Sequence, residues 1–407
     1  MTRKPRKRSS IWRILLLLGL IGAALYVNQV IVPVTPRFFI PTPTPTQSPE
    51  SYVNLAQDYF RTGKLTLAID AYKEAIINDP DNPSNYVSLA RVQVFAGQYD
   101  EAIKNTQNAL LKNPDNPLAH AVQGWALGFL EKYGEAEREI KKALELDPNN
   151  ALAHAYYAEI LINQGDYNLF DKAIEESKIA REMEPNLLET HRARGIVLLN
   201  TQNVEDAVSE FEAALVINKN IADLHLNLGV AYKLLEQFDL AQESLLASYA
   251  LNPTDTIALT ELSRSFFADG RFAQAAQYAE EAVKLRPQDP RLHGNLGIIY
   301  YKMEDYPIAI PELALAVRGG TTNDNFDVEG LPLEYGRVEE YYWYLGFALA
   351  RSNRCAEAVP VFQKLLTDVP NDEIAVYNAN QGLEICKASI NQPPATATIE
   401  TTPSPTP

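Results

Sequence analysis

Apolar positions recur along most of this chain in paired helical stretches set off by short polar turns. Residues 222–253, ADLHLNLGVAYKLLEQFDLAQESLLASYALNP, read as two amphipathic helices with a turn near Glu236-Gln237, closed by Asn252-Pro253. The same grammar returns before and after them. A small residue marks the middle of each first helix: Ala56, Ala90, Gly124, Ala158, Gly195, Gly229, Ser263, Gly297 and Gly346. Twelve positions later a second one follows, among them Ala68, Ala102, Ala136, Ala207, Ala241, Ala275, Ala309 and Ala358. Closing prolines stand at Pro80, Pro114, Pro148, Pro185, Pro253, Pro287 and Pro370, and most steps are 34 residues. A fixed period of this size predicts stacked repeats.

Each mark has a physical reason. Antiparallel helices approach closely only where side chains are small. Proline just past a helical pattern stops it and sets the turn to the next unit. One helix pair cannot bury its apolar stripe alone, so neighbours must stack around a continuous core. With three marks in register over nine units, the chain from about residue 49 to 390 resembles tetratricopeptide-repeat proteins. The resemblance implies an all-α, right-handed superhelical solenoid of about nine helix pairs with a terminal capping helix.

The ends follow other rules. Residues 1–13 carry six basic residues and no acid, and residues 14–32, ILLLLGLIGAALYVNQVIV, are apolar and uncharged. That length just meets the roughly 20 residues a membrane span needs. An uncleaved anchor is expected, with the basic segment cytoplasmic and the repeats on the extracytoplasmic side; secretion after cleavage near Ala23-Ala24 is the alternative. Residues 33–48 alternate Pro and Thr, which favours an extended spacer. The Pro/Thr-rich tail 391–407 is expected to be disordered.

Charge removes one class of partner. The net charge is −16, a field that repels nucleic acid. No cofactor is expected. Catalytic motifs are missing too: the chain has no GxxxxGK[ST] loop, no HExxH and no CxxC pair. The five histidines, His120, His154, His191, His225 and His293, all occupy the fourth position of a repeat. Packed helices lie about 8–10 Å apart, too far for two of these to share one zinc, so they are expected to be packing residues and no metal site is expected.

A superhelix of helix pairs offers a concave surface lined by its first helices. Phe95, Trp125, Phe129 and Tyr156 fall on inward-facing positions and are candidates to grip a peptide through apolar anchors. The paired Asn and Lys/Arg clamp by which some family members hold a terminal carboxylate is missing in this register. Between the eighth and ninth units an insert, 319–338, interrupts the period, and a small hairpin around Glu329-Gly330 is possible there. Phe326 and Tyr335 in it, with Trp343, Tyr344 and Phe347 just beyond, are further partner-binding candidates. Cys355 and Cys386, the only cysteines, are expected to form a disulfide pinning the cap.

Two functions remain open. One is a membrane-anchored, non-catalytic scaffold that binds a protein or peptide in its groove. The other is an auxiliary subunit or assembly factor of an envelope polysaccharide or secretion complex, acting through the insert.

Overall fold

A computed structural model describes residues 11–31, 48–334 and 336–391. The first ten residues, the linker 32–47, Tyr335 and the tail from 392 lie outside them. The N-terminal helix and the solenoid from Pro49 onward are separate compact units.

Helix α1 (Ile11–Tyr26) runs on into a wider turn at Val27–Ile31. At about 1.5 Å per residue this run is about 30 Å long, and its stretch Ile11–Gln29 is long and apolar enough to cross a membrane. It starts three residues before the expected span.

The nine expected pairs are present, with first and second helices alternating. They are α2 (Pro49–Arg61) and α3 (Leu65–Asn78), α4 (Pro83–Phe95) and α5 (Tyr99–Lys112), α6 (Pro117–Phe129) and α7 (Tyr133–Leu146), and α8 (Ala151–Asn163) and α9 (Phe170–Met183). Next come α10 (Leu188–Asn200) and α11 (Val204–Ile217), α12 (Ala222–Leu234) and α13 (Phe238–Leu251), and α14 (Thr256–Ala268) and α15 (Phe272–Leu285). The last are α16 (Pro290–Lys302) and α17 (Tyr306–Arg318), then α18 (Val338–Arg351) and α19 (Cys355–Asp368), capped by α20 (Glu373–Asn391).

Local chemistry sets the boundaries. Asn82, Asn116, Asn150, Asp255 and Asp289 cap first helices through their side chains, three of them followed by Pro at the first helical position. Second helices lack such caps and start after a residue in the left-handed region. That residue is Gly63, Gly97, Glu131, Gly165, Gln202, Glu236, Gly270, Glu304 or Asn353, always at the same place in its unit. The three extra residues of the fourth unit form a short turn at Tyr167–Leu169 ahead of α9.

The small-residue marks sit where helices touch. A methyl group on Gly195 would fall 2.6 Å from the Phe211 ring, and one on Gly346 would lie 2.5 Å from Phe362. Helix α20 packs on α18 and α19, and Cys355 at the start of α19 is disulfide-bonded to Cys386 of α20, with a Cα–Cα distance of 5.4 Å.

The insert does contain a hairpin, but its turn lies elsewhere than expected. Strand β1 (Gly320–Thr321) pairs antiparallel with β2 (Asp327–Val328), so the turn is at 322–326 and not at Glu329-Gly330. Gly319 and Gly330 meet backbone to backbone, where neither has room for a side chain. The Leu331 N–H donates to the Ala316 carbonyl, and the Tyr342 hydroxyl to those of Val317 and Leu331. The insert is thereby fastened to α17 and α18.

Candidate partner-binding site

The concave face divides into two unlike halves. In the first half the inward positions are filled by the chain itself. Phe60, Phe95, Trp125 and Tyr156 form a continuous run of rings, with centroids 5.4, 5.1 and 4.2 Å apart, and Phe129 packs at 5.7 Å from Trp125. The indole N–H of Trp125 donates to Glu159 at 2.7 Å. Arg192 lies over both Trp125 and Phe129 and pairs with Glu159 and Asp223. Arg91 reaches across to Glu189, whose side chain is wholly buried.

These contacts join units far apart in sequence. The Asn218 amide donates to the Phe60 carbonyl at 2.9 Å. Gly63 lies so near Asn220 that an added methyl would come within 2.1 Å of it. The turn of the first unit thus rests on the link between the fifth and sixth, and the early superhelix closes on itself. Trp125 and Tyr156, expected to line an open groove, are 1% and 0% exposed. They are core residues, because this closure brings inward faces into contact with one another. Phe95 and Phe129 are half-buried against them.

Burial has electrostatic consequences here. It pushes the Glu159 carboxyl above the ordinary range, although Arg192 and the Trp125 N–H pull the other way. At Arg91 burial works against the charge, but Glu189 beside it holds the guanidinium well above its usual value.

The second half stays open. A cavity of about 350 Å³ lies on the inward side of α12, α14, α16 and the start of α18, with Lys233, Arg264, Phe267, Asn295, Arg337 and Glu340 in its wall. Glu261 accepts from both Lys233 and Arg264. Burial alone would raise its carboxyl; those two cations hold it below the usual carboxylate range. Asn295 is fixed from the other side, its side-chain oxygen accepting from the Tyr341 hydroxyl at 3.0 Å.

The candidates near the insert are dispersed. Phe326 at the hairpin turn is 40% exposed. Tyr335 lies outside the described residues. Trp343, Tyr344 and Phe347 are half-buried on α18: Tyr344 packs on Tyr301 at 4.9 Å, and Phe347 on Phe362 at 5.5 Å. None of the three lines the cavity, whose wall comes from other faces.

Sequence reasoning passed over the charged residues of the concave face. Arg91, Glu159, Glu189, Arg192, Glu261 and Arg264 all occupy inward positions of first helices. Charge on a face that should be turning inward was the available signal.

The histidines do more than pack. His120, His154, His191 and His293 each place Nδ1 at 2.5–2.6 Å from a glutamate of the second helix: Glu139, Glu176, Glu210 and Glu312. In three of them Nε2 also meets the carbonyl of Pro114, Pro148 or Pro287. A carbonyl and an ionised carboxylate only accept, so with these partners both ring nitrogens donate, an arrangement that favours the imidazolium form. The Glu139 bond is the largest cause raising His120. At His154 and His293 the glutamates and carbonyls outweigh burial, and both titrate above the ordinary value. Among the described residues His225 meets only the Lys219 carbonyl, since Ser244 stands where its glutamate would be. No group of three or more metal-ligating side chains is found among the described residues.

Known proteins agree with this architecture. Family profiles described as tetratricopeptide repeat match residues 59–126, 119–150, 139–175, 226–290 and 260–327. Together these take in more than half of the chain. BBSome complex member BBS4 of Bos taurus is 29% identical over 131 residues, covering 32% of this chain and 25% of that protein. Anaphase-promoting complex subunit CDC16 of Saccharomyces cerevisiae is 22% identical over 167 residues, covering 39% of this chain and 18% of that protein. The chain thus matches about a quarter or less of the length of either relative. Among solved structures, the APC/C hetero-tetramer Cut9–Hcn1 superposes with a TM-score of 0.55 at 14% identity, over 91% of this chain and 82% of that one. At that identity the likeness speaks for the fold alone. Repeat marks, helix pairs and profile matches coincide, and the chain belongs to the tetratricopeptide-repeat family.

Proposed function

We propose that this protein is a non-catalytic interaction scaffold, tethered to a membrane by α1, whose polypeptide partner seats in the open trough of units six to nine. One observation carries the reading. The concave surface of the early units is consumed by the chain's own side chains, whereas that of the later units holds a cavity of about 350 Å³ with apolar walls and converging polar groups. The relatives support the general role, since both are named as components of multi-subunit complexes.

The proposed topology puts the solenoid on the extracytoplasmic side. A basic segment before an apolar helix favours that orientation, and a disulfide suits an oxidising compartment. Protease added outside spheroplasts should digest the repeats.

Photocrosslinking tests the seat. The full chain with a benzophenone side chain at Phe267 should yield partner adducts in intact cells. The same group on exposed Arg138, on the outer side of α7, should not. Equal adducts from both positions, or none from Phe267, would place the partner elsewhere.

A further inference from the structure

The geometry points to the chemistry of that partner: a segment with acidic side chains beside apolar ones, its carboxylates held on Arg264, Lys233 and Arg337. This rests on the reading that the trough of units six to nine is the seat.

The first argument is charge. The whole chain carries −16, yet Lys233, Arg264 and Arg337 line this cavity against the lone carboxylate of Glu340. Glu261 behind them is shared by Lys233 and Arg264, so one acid answers two bases. No ion pair involves Arg337 among the described residues. A cationic trough favours anionic segments and disfavours cationic ones.

The second argument is hydrogen-bonding capacity. With its oxygen engaged by Tyr341, Asn295 is left to present its amide N–H groups, for which no protein acceptor is found among the described residues. A carboxylate is the acceptor that suits an amide flanked by guanidinium groups. The apolar part of the wall, Phe267 and Ile298, fits the aliphatic neighbours of such a group.

The third argument is layout. Lys233 comes from the end of α12, Arg264 from mid-α14, and Arg337 from the last residues of the insert, just before α18. Three cations from three different units suit successive acidic side chains better than one terminal carboxylate. The insert therefore has a use: it delivers a cation that the regular repeat could not place there.

The test uses the full chain and an amidated random dodecamer library, so that only side-chain acids are read. Selection should enrich Asp and Glu at least fivefold over Gln, and deplete Lys and Arg. The winning peptide should lose affinity about tenfold in Arg264→Gln and in Arg337→Gln, the effect of one charge-assisted bond. Arg264→Lys should retain most of it, and Arg138→Gln should change nothing. Thermal unfolding of each variant guards against misfolding.

Enrichment of apolar residues without acids, abolished by Phe267→Ala and indifferent to Arg264→Gln, would overturn the acidic assignment and leave the seat standing. No enrichment at all would overturn both. A chain lacking residues 392–407 that binds the peptide ten times tighter would make its own tail the occupant, which overturns an external partner.

Discussion

Replacing Arg91 with methionine tests whether the early superhelix is closed. The substitution keeps much of the aliphatic stem but removes the cation that answers Glu189, whose side chain has no exposed surface. Removing one member of a buried pair costs about 3–5 kcal/mol. The Arg91 side chain is itself 31% exposed, so solvent already screens part of the interaction. Its contact with the Phe60 ring at 5.9 Å adds at most about 0.5 kcal/mol. We therefore expect Arg91→Met to cost about 2–3 kcal/mol. Adding Glu189→Gln should recover more than half, because the penalty is mostly an orphaned carboxylate rather than a lost attraction.

Repeat arrays can unfold in segments, so one denaturant midpoint is not enough. Hydrogen exchange should show faster opening in α2–α4 and α10, with α14–α19 unchanged. Emission from Trp125, now 1% exposed, should shift to the red in the single variant. A loss below about 0.5 kcal/mol, or a double variant no better than the single one, would mean that the pair does not hold the units together.

Other expectations follow from features elsewhere in the solenoid. His120, His154 and His293 have folded-state values raised above the ordinary histidine value, so their contribution is complete below about pH 6.5 and is lost as pH rises through those raised values. Thermal unfolding between pH 6 and 9 should show stability falling, and the triple Gln variant should flatten that slope; a rising slope would contradict an imidazolium ladder. Changing Cys355 and Cys386 to serine opens a loop of 31 residues' separation, a loss of about 3–4 kcal/mol by chain entropy. It should show as early proteolysis of α20, and equal resistance would dismiss the bond as a staple. Glu236 has φ +59, a conformation that disfavours side chains. Glu236→Gly should be neutral to about 1 kcal/mol stabilising in urea titration, and a loss would mean the turn relies on the glutamate.

What could be read from the sequence was whatever depends on neighbours. Gly195 and Gly346 announced close helix contacts, and Pro80, Pro114 and Pro287 announced the ends of units, because each effect acts within one unit or between adjacent ones. The fate of Trp125 and Tyr156 could not be read that way. Both are apolar and inward-facing whether the groove is open or closed, and the outcome depends on a small rotation per unit summed over five units. Arg91 and Glu189 carried the missing information, since opposite charges on one inward face call for each other. Arg337 was hidden for another reason: it enters the cavity from an insert that obeys no repeat register.

The bond from Asn218 to Phe60 spans 158 residues, and that distance governs the order of assembly. An ordinary solenoid can nucleate anywhere and zip outward between adjacent units. Here the first helix pair cannot finish its contacts until the fifth has been made. Joining points that far apart in an unstructured chain costs about 4–5 kcal/mol, and far less once the intervening pairs have stacked. The clasp should therefore shut late in folding, as a slow phase absent from linear arrays. Until then Trp125 and its aromatic neighbours stand open, and this is the interval in which the nascent protein is most prone to stick to another copy.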